Sequence, residues 1–544
     1  MFFLNVFGEF CWENPLIMGA NLIFIAGMPI NDIFLPYLFG RLVETIKNKR
    51  AFTLVFTMII ATLVLVMSMS VLSDWHDTFM SPKFQGFVRN RVMKSVFHQH
   101  QTQYHTELPI GSLLTLFVKA PNTILNLFNQ IKDHILPYLA LFTCAIAYFS
   151  SIDWLIGVVI CGVVVLLFAL IFISPQTCAK VSMNKSSLYN RMQDEVDDLL
   201  HNLPSVYTSD RIGEELHRFS AYDKHYQTSC QKTMNCVLLF KAIGFPLIIG
   251  LFAFFMHRCQ GLVSRGSISV GTFVTMLLIL TSLTSNLMWC VDVIREIVFD
   301  IGFVMNSEKQ LRTHTEPVTV PVQAPSNRPP PPSSGFGLDH VSYTYPGMAK
   351  PSLSDLTLHF TQGERVVVVG AIGAGKSTMT KLMAKLLTAT QGDLYINGRW
   401  YADLTPSEVR KLVGYVPQQP VLFNRSVYEN LRYGNEATEA DIDRLVDDIG
   451  VAQEFSSLTE GMRTVIGKGG SKLSGGQRQL VWCLRTMLSH PDVVIMDEPT
   501  ASMDLATKRK LERILDVMTE RKIVIIISHD EFMVQQASRV VRLE

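Results

Sequence analysis

The chain has 544 residues, of which 48% are hydrophobic and only 17% charged, against roughly 25% charged in an average soluble protein. That deficit excludes a wholly soluble chain, while the balance of 48 Lys and Arg against 47 Asp and Glu gives no reason to expect nucleic acid or another polyanion as partner. At about 100–200 residues per unit the length allows several domains.

The first residues, MFFLNVFGEFCWENP, carry no basic stretch and no small-residue cleavage site, so insertion is expected through the chain's own spans and not through a removable leader. A bilayer core of about 30 Å demands roughly 20 mostly uncharged residues per helix. Six runs meet that demand, near 16–40, 52–73, 134–150, 154–174, 236–256 and 268–290. An even number puts both ends on one side. The charged, helix-compatible stretches 74–133 and 175–235 predict helical stalks that continue the spans into the cytoplasm. They hold six and seven Lys or Arg, and the turn 151–153 holds none, as the positive-inside rule asks. Arg41, Lys47, Lys49 and Arg50 fall on the outer side and disagree with it.

Nine cysteines are scattered without a CxxC pair or a Cys/His cluster, which predicts small apolar packing residues and neither a disulfide framework nor a metal site. Polar groups inside the spans are few: Asn21, Asn31, Asp32, Ser68, Ser70, Lys241, Thr281, Ser282 and Asn286. Intramembrane polar groups are costly and so count as candidates for substrate contact. Lys241 is expected to snorkel to the interface, and the hydroxyls to bond their own helices.

A composition break at 317–334, with seven prolines in eighteen residues, predicts an extended linker. Beyond it, RVVVVG at 365–370, DVVIMDEP at 492–499 and KIVIIISHD at 522–530 read as buried strands of an α/β domain spanning 335–544. Gly370, Gly373, Gly375, Lys376, Ser377 and Thr378 fit the pattern GxxxxGK[ST] between such a strand and a helix. Glycines there let backbone N–H groups wrap phosphates, Lys376 can reach the β- and γ-phosphates, and Ser377 can ligate Mg²⁺. Downstream, Asp497 suits a place in the Mg²⁺ shell, and Glu498 suits orienting or deprotonating an attacking water.

Leu473-Ser474-Gly475-Gly476-Gln477, followed by Asp497-Glu498-Pro499-Thr500, resembles the ABC transporter family, as do Tyr345, Gln418, Asp504 and His529 in the order that family has them. The resemblance extends over the whole chain. It implies a half-size exporter: an all-α domain over 1–316 with six spans and long cytoplasmic stalks, then an α/β P-loop NTPase domain with a helical subdomain. It also implies that Tyr345 stacks on the adenine of ATP, that Gln418 senses the γ-phosphate and Mg²⁺, and that His529 contacts the γ-phosphate. Ser474, Gly475, Gly476 and Gln477 form a second anion site for the γ-phosphate of a partner domain. One signature and one phosphate loop per chain imply a dimer, with a second copy or a related half-transporter. By the same likeness, short coupling helices are expected near 99–106 and 209–216.

Two departures stand out. Thr464 to Gly470 resembles the family pattern TxVGExG, yet Lys468 replaces the usual Glu, so an acidic stalk tip such as Asp210, Glu214 or Glu215 is expected to answer it. Glu544 follows His529 by fifteen residues, where relatives carry a further strand and a terminal helix. The expected activity is ATP-driven export by a multi-pass membrane protein with its nucleotide domain in the cytoplasm, its cargo amphipathic or lipid-like because Phe, Met and Leu dominate the spans. An ATP-gated channel or regulatory membrane protein is the alternative. A soluble nucleic-acid-remodelling ATPase is disfavoured by the spans.

Overall fold

The computed structural model describes residues 2–47, 52–99, 110–313, 329–501 and 503–543. The chain divides into two compact units, a helical one within 1–315 and an α/β one from Glu316 onward.

Among the described residues the helical unit contains five helices long and apolar enough to cross a membrane: Phe52–Phe97, Leu113–Ile152, Trp154–His201, Ile212–Ser264 and Val270–Leu311. At 1.5 Å per residue the 53 residues of the fourth extend about 80 Å, well beyond a 30 Å hydrocarbon core. These helices therefore serve as span and stalk in one piece. The run 16–40, expected as the first span, differs. It is built from Pro15–Phe24, Gly27–Pro29, a π turn Ile30–Phe34 and Leu35–Lys47. Pro29 and Pro36 supply the reason: neither has an N–H to donate, and in the π turn Leu35 N–H reaches back five residues to Ile30 O. The same device recurs before Pro137, where the π turn Gln130–Ile135 sends Leu136 N–H to Ile131 O. Both widened turns break the helical hydrogen-bond ladder beside charged or amide side chains.

Fully buried Phe142, Phe149, Ile156, Ile160, Ile248, Phe255 and Leu280 form the core between the third to sixth segments. Where Leu35–Lys47 crosses the last apolar helix, a Cβ on Gly40 would stand 2.5 Å from Gly271 O, so only glycine permits that approach. Two cysteines are not free packing residues as expected. Cys178 and Cys236, with Cα atoms 6.0 Å apart on facing helices, form a disulfide, the separation such a bond requires. The stalk tip also differs from expectation: its short helix is Leu203–Thr208, and Asp210, with φ 51°, lies in the turn that follows. Residues 100–106 of the other expected tip lie outside the described residues, as do 317–328 of the expected linker.

The α/β unit contains two sheets. The first is antiparallel, in the order β2-β1-β4-β5, with β1 Phe336–Tyr343, β2 Leu353–Phe360, β4 Gln391–Ile396 and β5 Arg399–Trp400. The second is parallel, in the order β6-β7-β8-β3-β9, with β3 Arg365–Gly370, β6 Val413–Val416, β7 Val493–Asp497, β8 Ile523–Ile527 and β9 Arg539–Leu543. Strand β3 alternates strictly: Val366 and Val368 enter the core shared with the antiparallel sheet, and Val367 enters the core shared with the helical subdomain. A strand buried on both faces must read as an unbroken apolar run, which is why RVVVVG is so conspicuous. Helix α1 (Lys376–Met383) fills the first core with Met379, Leu382 and Met383. Helix α2 (Gly475–Leu488) fills the second with Leu480, Val481 and Leu484.

Candidate nucleotide site

In an open parallel sheet the carboxyl ends of the strands form one edge, where ligands bind. Four of the five parallel strands bring a predicted site residue there. Gln418 follows β6, Asp497 ends β7 with Glu498 next, His529 follows β8, and Gly370 ends β3. The registers lock them in line. Asp497 pairs with Ile527 across β7 and β8, Val368 with Ile527 across β3 and β8, and Glu498 N–H donates to Ile527 O at 2.8 Å. With neighbouring strands about 4.8 Å apart, the phosphate loop and the Asp497-Glu498 pair are two strand spacings from each other.

The loop itself is a cradle. Gly373 and Gly375 hold φ of 90° and 84°, the left-handed region glycine adopts without strain, and they turn the chain into the N-terminus of α1. Lys376 Nζ donates to Gly370 O at 2.6 Å and Ala371 O at 2.9 Å, so its ammonium is folded back over the loop it serves. Ser377 is exposed and Thr378 buried. Thr378 Oγ1 lies 3.2 Å from the hydroxyl of Tyr345, whose ring meets Tyr343 edge-on at 4.9 Å. That bond ties the predicted adenine-stacking tyrosine to the phosphate helix.

Asp497 is 6% exposed and has no salt bridge among the described residues. Burial raises its carboxyl above the usual range, with the neighbouring Glu498 adding to the rise and Lys381 and Lys376 opposing it. An anionic oxygen held in such a place suits a hard cation, and the exposed Ser377 hydroxyl and Gln418 carbonyl are further oxygen donors of the kind Mg²⁺ takes. The donor set therefore fits Mg²⁺. Glu498 has a positive φ of 48°, an uncommon conformation for a residue with a side chain. His529 is exposed.

The signature residues are not joined to this edge. Ser474 is the N-cap of α2: its Oγ accepts from Gln477 N–H at 3.2 Å, and Gln477 Oε1 accepts from Ser474 N–H at 2.9 Å. SGGQ is thus a capping box, like Thr405 with Glu408, Ser426 with Glu429 and Thr438 with Asp441. Gln477 is committed further, donating Nε2 to Glu454 O. Among the described residues the Ser474 hydroxyl proton and the N–H groups of Gly475 and Gly476 stay open for an anion at the helix start. Behind them, Trp482 Nε1 donates to Val421 O at 3.3 Å and Gln479 Nε2 to Pro417 O at 3.5 Å. The signature helix and the Gln418 loop are therefore tied side by side. Lys468 is exposed and forms no ion pair among the described residues.

In the helical unit the hydroxyl candidates are partnered as expected, and the amides have partners the sequence did not suggest. Asn286 donates to Asp32 at 2.8 Å, Asn31 donates to Asp32 at 2.7 Å, and Thr281 and Ser68 bond their own helices. Lys241, expected to snorkel, pairs with the exposed carboxylate of Asp292. Sequence reasoning missed Lys132, which is buried between Asp77 at 2.6 Å and Asp133 at 3.1 Å. It also missed His134, whose ring lies tilted against that of Trp289 with the centroids 3.8 Å apart. A span drawn from 134 left out Lys132 and Asp133, although the apolar helical segment extends from Leu113 through the π turn Gln130–Ile135. The charged signal was visible and was assigned to the stalk.

The family of ABC transporter transmembrane regions matches residues 18–287, and that of ABC transporter ATP-binding domains matches 353–501. The chain belongs to the ABC transporter family and binds ATP through that domain. It is a multi-pass membrane protein with the layout of a half-size exporter. It is 27% identical over 463 residues to ATP-binding cassette sub-family B member 6 of Rattus norvegicus, covering 83% of this chain and 54% of that protein. The chain thus spans about half the length of that relative. ABC transporter B family member 6 of Dictyostelium discoideum is 26% identical, over 97% of this chain and 81% of its own. The fold matches that of a bacterial Atm1-family ABC exporter with ATP bound, with a TM-score of 0.83 and 21% identity over 98% of this chain and 94% of the other.

Proposed function

We propose that the protein is an ATP-driven exporter half that works as a dimer, with a second copy of itself or a related half-transporter, and moves an amphipathic cargo by alternating access. The observation that carries this reading is the separation of two anion sites in one domain: the phosphate loop on the sheet edge, and the open N-terminus of α2 with no hydrogen bond to it among the described residues. Each needs a complement, and two chains placed head to tail provide one for each nucleotide.

In this reading Tyr345 stacks on adenine, and the N–H groups around Gly373 and Gly375 hold the phosphates. Lys376, together with Ser474, Gly475 and Gly476 of the opposing domain, stabilises charge on the transferring phosphoryl group. Ser377, Asp497 and Gln418 would hold Mg²⁺, which would supply neutralisation of the phosphate charge there. Glu498 orients the attacking water and takes its proton, and His529 holds the γ-phosphate oxygen. ATP binding draws the two cytoplasmic nucleotide domains together, and hydrolysis releases them. The ATP bound in the structural relative, and the description of that relative as an exporter, support this course. The test is ATP hydrolysis by the purified protein in bilayers beside Glu498→Gln. Hydrolysis lost in the variant, with nucleotide binding retained, is expected; hydrolysis that survives it removes Glu498 from the role.

A further inference from the structure

Strands β7 and β8 end side by side, and each is followed by a loop that carries one candidate for the hydrolytic step: Glu498 after Asp497, and His529 after Ser528. Glu498 N–H donates to Ile527 O at 2.8 Å, which fixes where the first loop begins. Further out, the two loops are joined through the side chain of Asp530.

Asp530 is the N-cap of the short helix Glu531–Gln535, and its Oδ1 accepts from Phe532 N–H at 3.1 Å. Its Oδ2 accepts from Lys508 Nζ at 2.6 Å. Lys508 lies on the helix Leu505–Thr519, one turn after the N-cap Asp504, whose carbonyl accepts from Lys508 N–H at 2.9 Å. The hydroxyl of buried Thr500, two residues past Glu498, also bonds the Asp530 carboxylate. Burial alone would raise that carboxyl; Lys508, Thr500 and Phe532 N–H together hold it below the usual range. A helix cap needs only one oxygen, and the second reaches a different element.

The backbone of His529 is thereby held from both sides. Ser528 N–H donates to Val368 O at 3.3 Å, and the buried Ser528 Oγ accepts from Asp530 N–H at 3.1 Å. The His529 side chain is exposed. The loop after Glu498 is equally short-tethered: Ala501 N–H returns to Glu498 O at 3.2 Å, and Met503 N–H to Thr500 O at 3.1 Å. Lys508 and Asp530 side chains are 24% and 22% exposed, so their pair is sheltered from the solvent that makes most surface pairs weak.

We propose that Asp530, through Lys508 and Thr500, is a positioning residue for ATP hydrolysis: it holds the His529 loop in register with Glu498, so that the γ-phosphate contact and the carboxylate that orients water meet the same nucleotide. This rests on the exporter reading above and adds to it residues that touch no nucleotide. A misplacement of about 1 Å at such a site can cost about a hundredfold in rate.

The test uses the full chain in lipid nanodiscs. Wild type, Asp530→Asn, Lys508→Met, Lys508→Arg and the double variant Asp530→Asn/Lys508→Met are compared, with Glu498→Gln as reference, for kcat and KM of ATP hydrolysis, binding of trinitrophenyl-ATP, and unfolding midpoint. Asparagine keeps the helix cap and loses the ion pair. Asp530→Asn and Lys508→Met are each expected to lower kcat about tenfold or more, with KM and analogue affinity close to wild type. The double variant is expected to be no slower than the slower single one, because both break one pair. Lys508→Arg, which keeps a cation facing Asp530, is expected to retain most of the activity. An unchanged kcat in both single variants overturns the assignment, even where the unfolding midpoint falls. So does a loss in the double variant equal to the product of the single losses, or a fall in analogue affinity that matches the fall in kcat. Any of these results beside an inactive Glu498→Gln leaves the exporter reading standing, whereas a wild type that hydrolyses no faster than Glu498→Gln overturns both.

Discussion

Gly373 and Gly375 share a left-handed backbone but not their surroundings, and replacing each by alanine separates folding from nucleotide binding. An L-residue in that conformation costs about 1–2 kcal/mol. A Cβ on Gly375 would also stand 2.4 Å from Ser352 O and 2.7 Å from Leu353 Cδ2, and the carbonyl cannot rotate away. Overpacking of this kind adds about 1–3 kcal/mol, for a total of about 2–5 kcal/mol. A Cβ on Gly373 meets nothing within 4 Å, so only the first cost applies, and the methyl projects into the open side of the loop where phosphates are proposed to lie. At about 2–4 °C per kcal/mol for a domain of this size, Gly373→Ala is expected to lower the nucleotide-free unfolding midpoint by about 2–8 °C, and Gly375→Ala to lower it further. Binding of trinitrophenyl-ATP is expected to be lost in Gly373→Ala despite its milder folding defect. A Gly373→Ala protein that binds the analogue like wild type refutes the placement of the phosphates, and equal midpoints for the two variants refute the packing argument.

The raised Asp497 carboxyl gives a pH dependence of definite sign. Below the unfolded pKa the group is protonated in both states and adds nothing; as pH rises through the raised folded pKa, the folded domain carries a buried charge and loses stability. Asp497→Asn should therefore raise the nucleotide-free midpoint near neutral pH, flatten its pH dependence, and abolish Mg²⁺-dependent ATP binding; a lowered midpoint would contradict this. Ser474→Ala removes a capping box at a cost of about 0.5–2 kcal/mol, whereas Ser474→Thr keeps it, so ATPase activity should fall in the first and largely persist in the second. Lys132→Met breaks a buried ion pair, for which about 3–5 kcal/mol is typical. The double variant with Asp77→Asn should be less destabilised than the sum of the two single changes, as measured by unfolding in detergent, and strict additivity would show that the pair is not coupled.

The nucleotide edge is readable residue by residue because its chemistry demands fixed residue types at fixed spacing. A strand buried on both faces must be apolar, its turn must be glycine, and Ser474 with Gln477 obeys the same three-residue capping rule as Thr405 with Glu408. The membrane unit imposes no such spacing. Hydropathy located the runs but drew the third from 134, because Lys132 and Asp133 look like an end; their charge is matched by Asp77 on another helix, a pairing that no local pattern contains. Pro36 and Pro137 lie inside the expected spans and follow the two widened turns, but nothing in the sequence indicates that the ladder there takes the form of a π turn. Cys178 and Cys236 are 58 positions apart, and only the packing of their two helices makes them neighbours.

ATP hydrolysis at this edge is proposed to drive directional movement of a solute. The most direct measurement is uptake of the amphipathic fluorescent dye dansylcadaverine into sealed proteoliposomes whose outward-facing nucleotide domains are supplied with Mg²⁺ and ATP, with wild type beside Glu498→Gln and ATP hydrolysis followed in the same vesicles. Accumulation above the external concentration, absent in Glu498→Gln and without ATP, is the predicted result. Hydrolysis without accumulation of this or any other amphipathic solute, or passive equilibration that ATP merely switches on, would contradict the pump and favour a gated pore.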